Sequence, residues 1–287
     1  MKALIFGASG QDGHYLSQLC EQKGIETLKF SRTGPKIADI SDYEKVQQII
    51  KNTTPNYIFH LAANSTTRHD ALFENHATIA TGTLNLLEAA YKHSPNSKIF
   101  ITGSGVQFFN DGKAISENHP FEASSPYAIA RIQSVYAARY YRSLGLKTYV
   151  GYLFHHESPL RKPNHVSQKV AMTAKLIAQG SQEKLYIGDL SVQKEWTFAG
   201  DVAEAIITLI EQDNIFETVI GSGQTYSIQQ WVEECFSKLG LNWQLFVETQ
   251  PNFQVEYKRL VSNPALIQSL GWKPKTSLQK LAKMMLE

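Results

Sequence analysis

The chain has 287 residues, 43% of them hydrophobic and 19% charged, a globular balance that excludes a disordered or low-complexity protein. Its 28 Lys and Arg against 26 Asp and Glu leave a net charge of +2 with no basic cluster, so a nucleic-acid partner is not expected. Two cysteines, Cys20 and Cys235, make no disulfide framework or Cys-rich zinc site, and the opening MKALIFGASGQDGHYL is apolar too briefly for a secretory signal. The cysteine usage fits a reducing compartment, so a cytoplasmic protein is the expectation, and no run approaches the ~20 apolar residues of a membrane span, so no membrane partner is expected.

Lys2 to Phe6 is a β-favouring run that stops at Gly7, a strand leading into a tight turn. From Asp12 the apolar positions Tyr15, Leu16, Leu19 and Cys20 fall at helical spacing, with Gly24 as the stop. Ile25 to Phe30 is the next strand, Ser41-x-x-Glu44 has the form of a capping box for a second helix, and Tyr57 to Leu61 reads as a buried strand. The alternation continues through a helix from about Phe73 to Tyr91, a strand at Ile99 to Thr102, a helix from Pro126 to Leu144 and a strand at Lys147 to Phe154. Strands alternating with amphipathic helices predict a doubly wound parallel α/β sheet over residues 1–154, a dinucleotide-binding (Rossmann) domain. The polar, proline-bearing stretch His155 to His165 predicts a loop over the carboxyl ends of the strands. Beyond it, helices around Val166 to Gln179, Asp201 to Gln212 and Ser227 to Leu239 alternate with short strands. Residues 155–287 therefore read as a smaller C-terminal α/β substrate lobe, some segments of which return to the sheet.

Between the first strand and first helix lies Gly7-Ala-Ser-Gly10-Gln-Asp-Gly13. There Gly7 permits the turn, Gly10 lets a pyrophosphate reach the backbone, Gly13 lets helix pack on strand, and the helix N-terminus offers amide donors. The second strand ends in Ser31-Arg32 instead of an acidic residue, which suits a 2′-phosphate and favours NADP, with NAD the alternative. Ser125 and Pro126 make a helix start that sets Tyr127 and Arg131 on one face. A phenol moves protons near neutrality only where a cation stabilises its anion, and Arg131 is such a cation. Ser104, just after the fourth strand, is placed to hydrogen-bond an oxygen undergoing oxidation or reduction. His155-His156 with Glu157 does not have metal-ligand spacing, so no metal is expected.

With Leu61-Ala-Ala-Asn-Ser65, Ser125-Pro-Tyr-Ala-Ile-Ala-Arg131, His156-Glu-Ser-Pro159, Leu185-Tyr-Ile-Gly188, Glu195-Trp196 and Leu270-Gly-Trp-Lys-Pro274 added to the glycine turn, the chain resembles the extended short-chain dehydrogenase/reductases that act on nucleotide sugars, GDP-mannose 4,6-dehydratases in particular. The resemblance implies an NAD(P)-dependent oxidoreductase of the epimerase/dehydratase type, a nucleotide-sugar substrate and a homodimer. It implies Tyr127 as acid/base, Ser104 as oxygen positioner and Arg131 in place of the family's Lys. For the cofactor it implies Gly7, Ser9, Gly10, Gln11, Asp12, Gly13, Arg32, Asp39, Ile40, Leu61, Ala62 and Ala63, together with Tyr127 and Arg131. For the substrate it implies Ser65, Val106, His156, Glu157, Ser158, Lys169, Lys194 and Glu256. The chain departs from the dehydratases at Val106, where they carry the Glu that eliminates water, and at Phe253, where they carry a diphosphate-binding Arg. A C4 ketone/alcohol interconversion on a GDP-linked hexose is the leading expectation. A 4,6-dehydratase with a substituted base and a cofactor-binding regulatory subunit without turnover are the alternatives.

Overall fold

The computed structural model describes residues 1–32, 36–251 and 253–287. Five parallel strands, β1 (Lys2–Phe6), β2 (Glu26–Phe30), β3 (Tyr57–His60), β4 (Lys98–Ser104) and β5 (Lys147–Leu153), are joined by a sixth, Glu217–Ile220. Their order across the sheet is β2-β1-β3-β4-β5 and then the sixth strand. The chain thus turns one way out of β1 and the other way from β3 onward, which opens a crevice at the carboxyl ends of these two strands.

The unbroken apolar runs follow from burial on both faces. Leu4 and Phe6 of β1 join the core with Ile58, Ile99, Ile101, Val150 and Tyr152, whereas Ala3 and Ile5 join Phe59, Phe100, Tyr149 and Leu153 on the other face. Helix α1 (Gln11–Gln22) covers the second face together with the Ala199–Ile210 helix. Helices α2 (Tyr43–Thr53), Gly82–His93 and Pro126–Ser143 cover the first. Each fully buried aliphatic or aromatic side chain in these layers stabilises the fold by about 1.5–3 kcal/mol. The sixth strand's edge is protected: Glu117 accepts from Val219 N–H (2.8 Å) and Thr218 Oγ1 (2.9 Å).

Residues after 155 divide between this sheet and a separate core. Helices Val166–Ala178, Ile228–Ser237 and Leu278–Leu286 enclose that core with the stacked rings of Trp196 and Trp231, 4.6 Å apart. Trp272 instead packs against the sheet side and donates its indole N–H to Asp201 O at 2.8 Å, while the Asp201 carboxylate accepts from Lys275 and Thr276 N–H.

Three local expectations need correction. The second helix is capped by Asp42, whose carboxylate accepts from Lys45 N–H, and not by Ser41, whose hydroxyl and N–H both turn to Asp39. A carboxylate one residue closer to the helix satisfies the same orphan donors, so the Ser-x-x-Glu pattern misplaced the cap by one. The helix expected from about Phe73 to Tyr91 is interrupted by a π-turn, His76–Thr81. In that wider turn the carbonyl of Ile79 accepts from the hydroxyls of Thr83 (2.7 Å) and Ser134 (3.1 Å). Finally, the stretch after Phe154 is not all loop: His156–Glu157 pairs in parallel with Thr197–Phe198.

Candidate active site

A cleft of about 720 Å³ runs along the carboxyl ends of the strands. One wall is the glycine turn. Gly7 has φ +92°, and a Cβ there would lie 2.5 Å from the backbone nitrogen of Ala62. A Cβ on Gly13 would lie 2.6 Å from Ala8 Cα, whereas one on Gly10 would meet only Gly7 O, at 3.5 Å. Gly7 and Gly13 therefore close the turn onto β3 and α1, and Gly10 leaves backbone open toward the cleft. Ser9, Gln11, Asp12, Leu61, Ala62, Ala63 and Ser65 line the same wall. At its far end lie Arg32, Asp39 and Ile40. Arg32 Nη2 is held by Glu74 Oε1 at 2.8 Å, and the second oxygen of Glu74 accepts from Asn64 at 2.7 Å.

Ser104, Val106, Tyr127 and Arg131 line the facing wall. Ser104 closes β4, with its N–H held by Gln107 Oε1 at 2.8 Å in a single 3₁₀ turn. Ser125 caps the Pro126–Ser143 helix by accepting from Ala128 N–H, which fixes Tyr127 in the first turn. The Arg131 guanidinium carbon lies 5.1 Å from the centroid of the Tyr127 ring, and its Nη1 donates to Thr102 O at 2.6 Å. Arg131 is 2% exposed and its Nε has no acceptor among the described residues.

The third side is built from distant segments. His155, His156, Leu160, Arg161, Lys162, Asn164 and His165 line it, joined by Glu256 and Tyr257. Glu256 accepts from Thr67 Oγ1 across the cleft mouth. The structure does not bring Glu157, Ser158, Lys169 or Lys194 to the lining. Glu157 is buried against Arg161 (3.2 Å) and Ser167 (2.7 Å), and Ser158 donates to Gln11 Oε1 at 2.8 Å. Lys169 donates to Tyr186 O. Lys194 is 6% exposed, with its Nζ 4.8 Å over the Trp196 ring. The Phe253 ring covers Gly188, where a Cβ would lie 2.5 Å from it.

This side is rich in cations that repel one another. Burial brings Lys194 down to about 8, with Glu157 opposing that fall and Arg161 adding to it. Burial holds the His155 imidazole well below its ordinary range, assisted by Lys194 and Arg161, and His155 Nε2 faces the Tyr257 hydroxyl at 3.0 Å. Burial and Arg161 together bring His165 down to about 4. Both histidines are thus neutral bases at pH 7. Among the described residues no three His, Cys, Asp or Glu side chains are grouped to hold a metal ion, and no helix is long and apolar enough to cross a membrane.

Sequence reasoning missed several groups that shape the site. Arg161 and His165 belong to a stretch read only as a loop, and the stretch is not helical, so no period marks the pairing of Arg161 with Glu157. Glu195 is fully buried, accepting from Ser262 N–H and Oγ (both 2.6 Å) and from Ser222 N–H, and so ties two loops together. Nothing local in the sequence announces that role.

The sequence profile of the family described as "GDP-mannose 4,6 dehydratase" matches residues 35–285. GDP-mannose 4,6 dehydratase 2 of Arabidopsis thaliana is 30% identical over 319 aligned residues, covering 99% of this chain and 86% of that protein. The fold is shared with UDP-glucose 4-epimerase of Thermus thermophilus in complex with NAD (TM-score 0.85, 22% identity, 100% of this chain and 98% of that one). It is shared equally with the RMD protein of Pseudomonas aeruginosa in complex with NADPH (TM-score 0.87, 20% identity, 99% and 97%).

Proposed function

The chain belongs to the GDP-mannose 4,6-dehydratase family of extended short-chain dehydrogenase/reductases, and from that premise we propose that it is an NADP-dependent oxidoreductase acting at C4 of a GDP-linked hexose. The observation that carries this reading is the row Ser104, Tyr127 and Arg131 along one wall of a cleft whose opposite wall is the glycine turn. The turn suits a dinucleotide, since a side chain at Gly10 would fill the approach to the α1 amides. Arg32 is the group for a 2′-phosphate, which would displace Glu74 from it. When bound, the nicotinamide takes or gives the hydride.

Oxidising a C4 alcohol also releases a proton, and the phenol oxygen of Tyr127 takes it; reduction returns it from the same oxygen. Ser104 holds the C4 oxygen in place, and Arg131, anchored to Thr102 O, fixes the Tyr127 ring. Val106 lines the cleft two residues after Ser104 and moves no proton. The carboxylates of the lining are Asp12, Asp39 and Glu256, each already engaged, by His156, Ser41 and Thr67 respectively. An elimination base is therefore lacking beside Ser104, which favours simple ketone/alcohol interconversion. Family membership favours the second reading, a 4,6-dehydratase, whose base would then come from the neutral imidazoles His155 and His165.

We also propose a homodimer. Leu84 and Tyr91 on one helix, and Ile129, Tyr136 and Tyr140 on its neighbour, are exposed at spacings that put each set on one face.

The test is incubation with GDP-mannose and NADP, and separately with a GDP-4-keto-6-deoxyhexose and NADPH, followed by mass analysis. Reduction of the second without water loss from the first supports the leading reading, and water loss from the first supports the dehydratase. Tight dinucleotide binding with no turnover of either would leave a regulatory subunit. Tyr127→Phe should lower turnover by about 10²–10⁴-fold while dinucleotide affinity is kept.

A further inference from the structure

Asp12 places a carboxylate in the first turn of α1, at the helix end where a pyrophosphate is to bind, and it lines the cleft. An unpaired anion there would oppose a dianionic ligand. The nearest cation comes from far along the chain: His156 Nε2 is 2.8 Å from Asp12 Oδ1, and His156 Nδ1 is 2.7 Å from Phe154 O. A carbonyl and a carboxylate only accept, so both ring nitrogens carry protons and the ring is an imidazolium. The same strand is bolted to the turn twice more, by Gln11 Nε2 to His156 O (3.2 Å) and by Ser158 Oγ to Gln11 Oε1 (2.8 Å).

We propose that His156 is a positioning residue of the dinucleotide site: as an imidazolium clamped between Phe154 O and Asp12, it neutralises the carboxylate beside the pyrophosphate, so that dinucleotide affinity falls when the ring loses its proton. The proposal rests on the dinucleotide reading of the cleft given above. Burial opposes the charge on His156, but the Asp12 carboxylate outweighs it and holds the ring above its ordinary range. Burial likewise opposes ionisation of Asp12, and His156 foremost, with Arg161 and Arg131, outweighs that, holding the carboxyl low. The other charged or titratable groups facing the pair are Arg161 and His155 from its own segment, Arg131 from the Pro126–Ser143 helix, and Tyr15 from α1, near Ser158. Arg161 acts against the charge on the ring, Arg161 and Arg131 both favour the Asp12 carboxylate from a greater distance than His156, and Glu157 is committed to Arg161 and Ser167. Asp12 is thus the only anion in direct contact with the ring among the described residues.

The experiment reads charge and affinity separately. In the ¹⁵N-labelled apo protein both His156 ring nitrogens should show imidazolium shifts at about pH 7, and a neutral tautomer there overturns the proposal. NADH and NADPH affinities, followed by fluorescence from about pH 6 to about pH 9, should fall by about tenfold as the ring titrates. His156→Gln should bind about tenfold more weakly than wild type at low pH and be indifferent to pH. Asp12→Asn combined with His156→Gln should recover most of the affinity and stay indifferent, because the stranded anion is gone. Equal weakness in the single and double variants would mean that the contact is merely structural, and sinks the idea. Failure of wild type to bind either dinucleotide at any pH would instead sink the dinucleotide reading, with the imidazole shifts still deciding the charge.

Discussion

The two sides of the cleft are made by different physics. The dinucleotide side is a backbone device, in which Gly7 at φ +92° closes a turn within seven residues and Gly13 lets α1 lie on β1. The side opposite is a charge device: Glu157, Arg161, Lys194 and three histidines, drawn from segments up to tens of residues apart, act on one another in and beneath the lining. A backbone device responds to volume and is indifferent to pH, whereas a buried charge device responds to both. The contrast predicts that variants of the glycine turn will act through sterics and those of the buried charges, the Asp12–His156 pair included, through protons.

The largest effect is expected at Gly7. Gly7→Ala puts a Cβ 2.5 Å from Ala62 N in a left-handed conformation, which costs about 1–3 kcal/mol in backbone strain alone. Displacement of β3 should then weaken dinucleotide binding by about a hundredfold at every pH. Gly24→Ala is the control: it has φ +72° with nothing within 4 Å, so it should lose about 1 kcal/mol of stability and no affinity. If both variants bind alike, the turn is not the steric device described.

Next comes acid stability. His155 and His165 are held neutral in the folded chain, His165 down to about 4 and His155 well below its ordinary range. The unfolded chain takes up their protons near pH 6.5 and the folded chain does not, so stability is lost as pH falls from about 6.5 toward 4. Each such histidine contributes up to about 1.4 kcal/mol per pH unit in that window. His60, buried at the end of β3 and brought down to about 3 by burial and Arg131, adds in the same direction. Urea midpoints at about pH 7, 6, 5 and 4 should fall steeply in wild type and less so in His165→Asn, which keeps a good residue at the N-cap of the Val166–Ala178 helix. Parallel curves would show that this side of the molecule does not store its charges as described.

The same contrast explains what the sequence discloses. The strand-and-helix alternation, the glycine turn and the Ser125-Pro126 helix start are local, because a period, a φ requirement and a cap are each set within a few residues. Contacts that cross the chain leave no such trace. His156 reaches Asp12 over 144 positions, and Glu195 reaches Ser262 over 67, with nothing in either neighbourhood to name the partner. Even the local signals err where two residues offer the same chemistry, as with Asp42 in place of Ser41. Lys169, expected at the substrate, spends its ammonium on Tyr186 O.

The smallest effect, and the one that divides the two devices most finely, concerns Lys194. Its ammonium titrates near pH 8 because burial brings it down from the usual lysine range. Below that pH it is charged and a net burden on the fold, since the unfolded chain would hold the proton more tightly. Lys194 lies beneath the cleft lining and not in it, so its charge acts on a bound diphosphate only at a distance, through the cation field it shares with Arg161, which is why the effect expected is small. GDP affinity should therefore decline about three- to fivefold between about pH 7 and about pH 9, in step with Lys194 and not with His156. Lys194→Arg should flatten that profile, because a guanidinium stays charged throughout. Lys194→Met should raise the urea midpoint at pH 7 while weakening GDP to the high-pH level of wild type. A methionine variant that is both less stable and unchanged in GDP affinity would assign Lys194 to the Trp196 packing alone and confine the charge device to Arg161 and its neighbours.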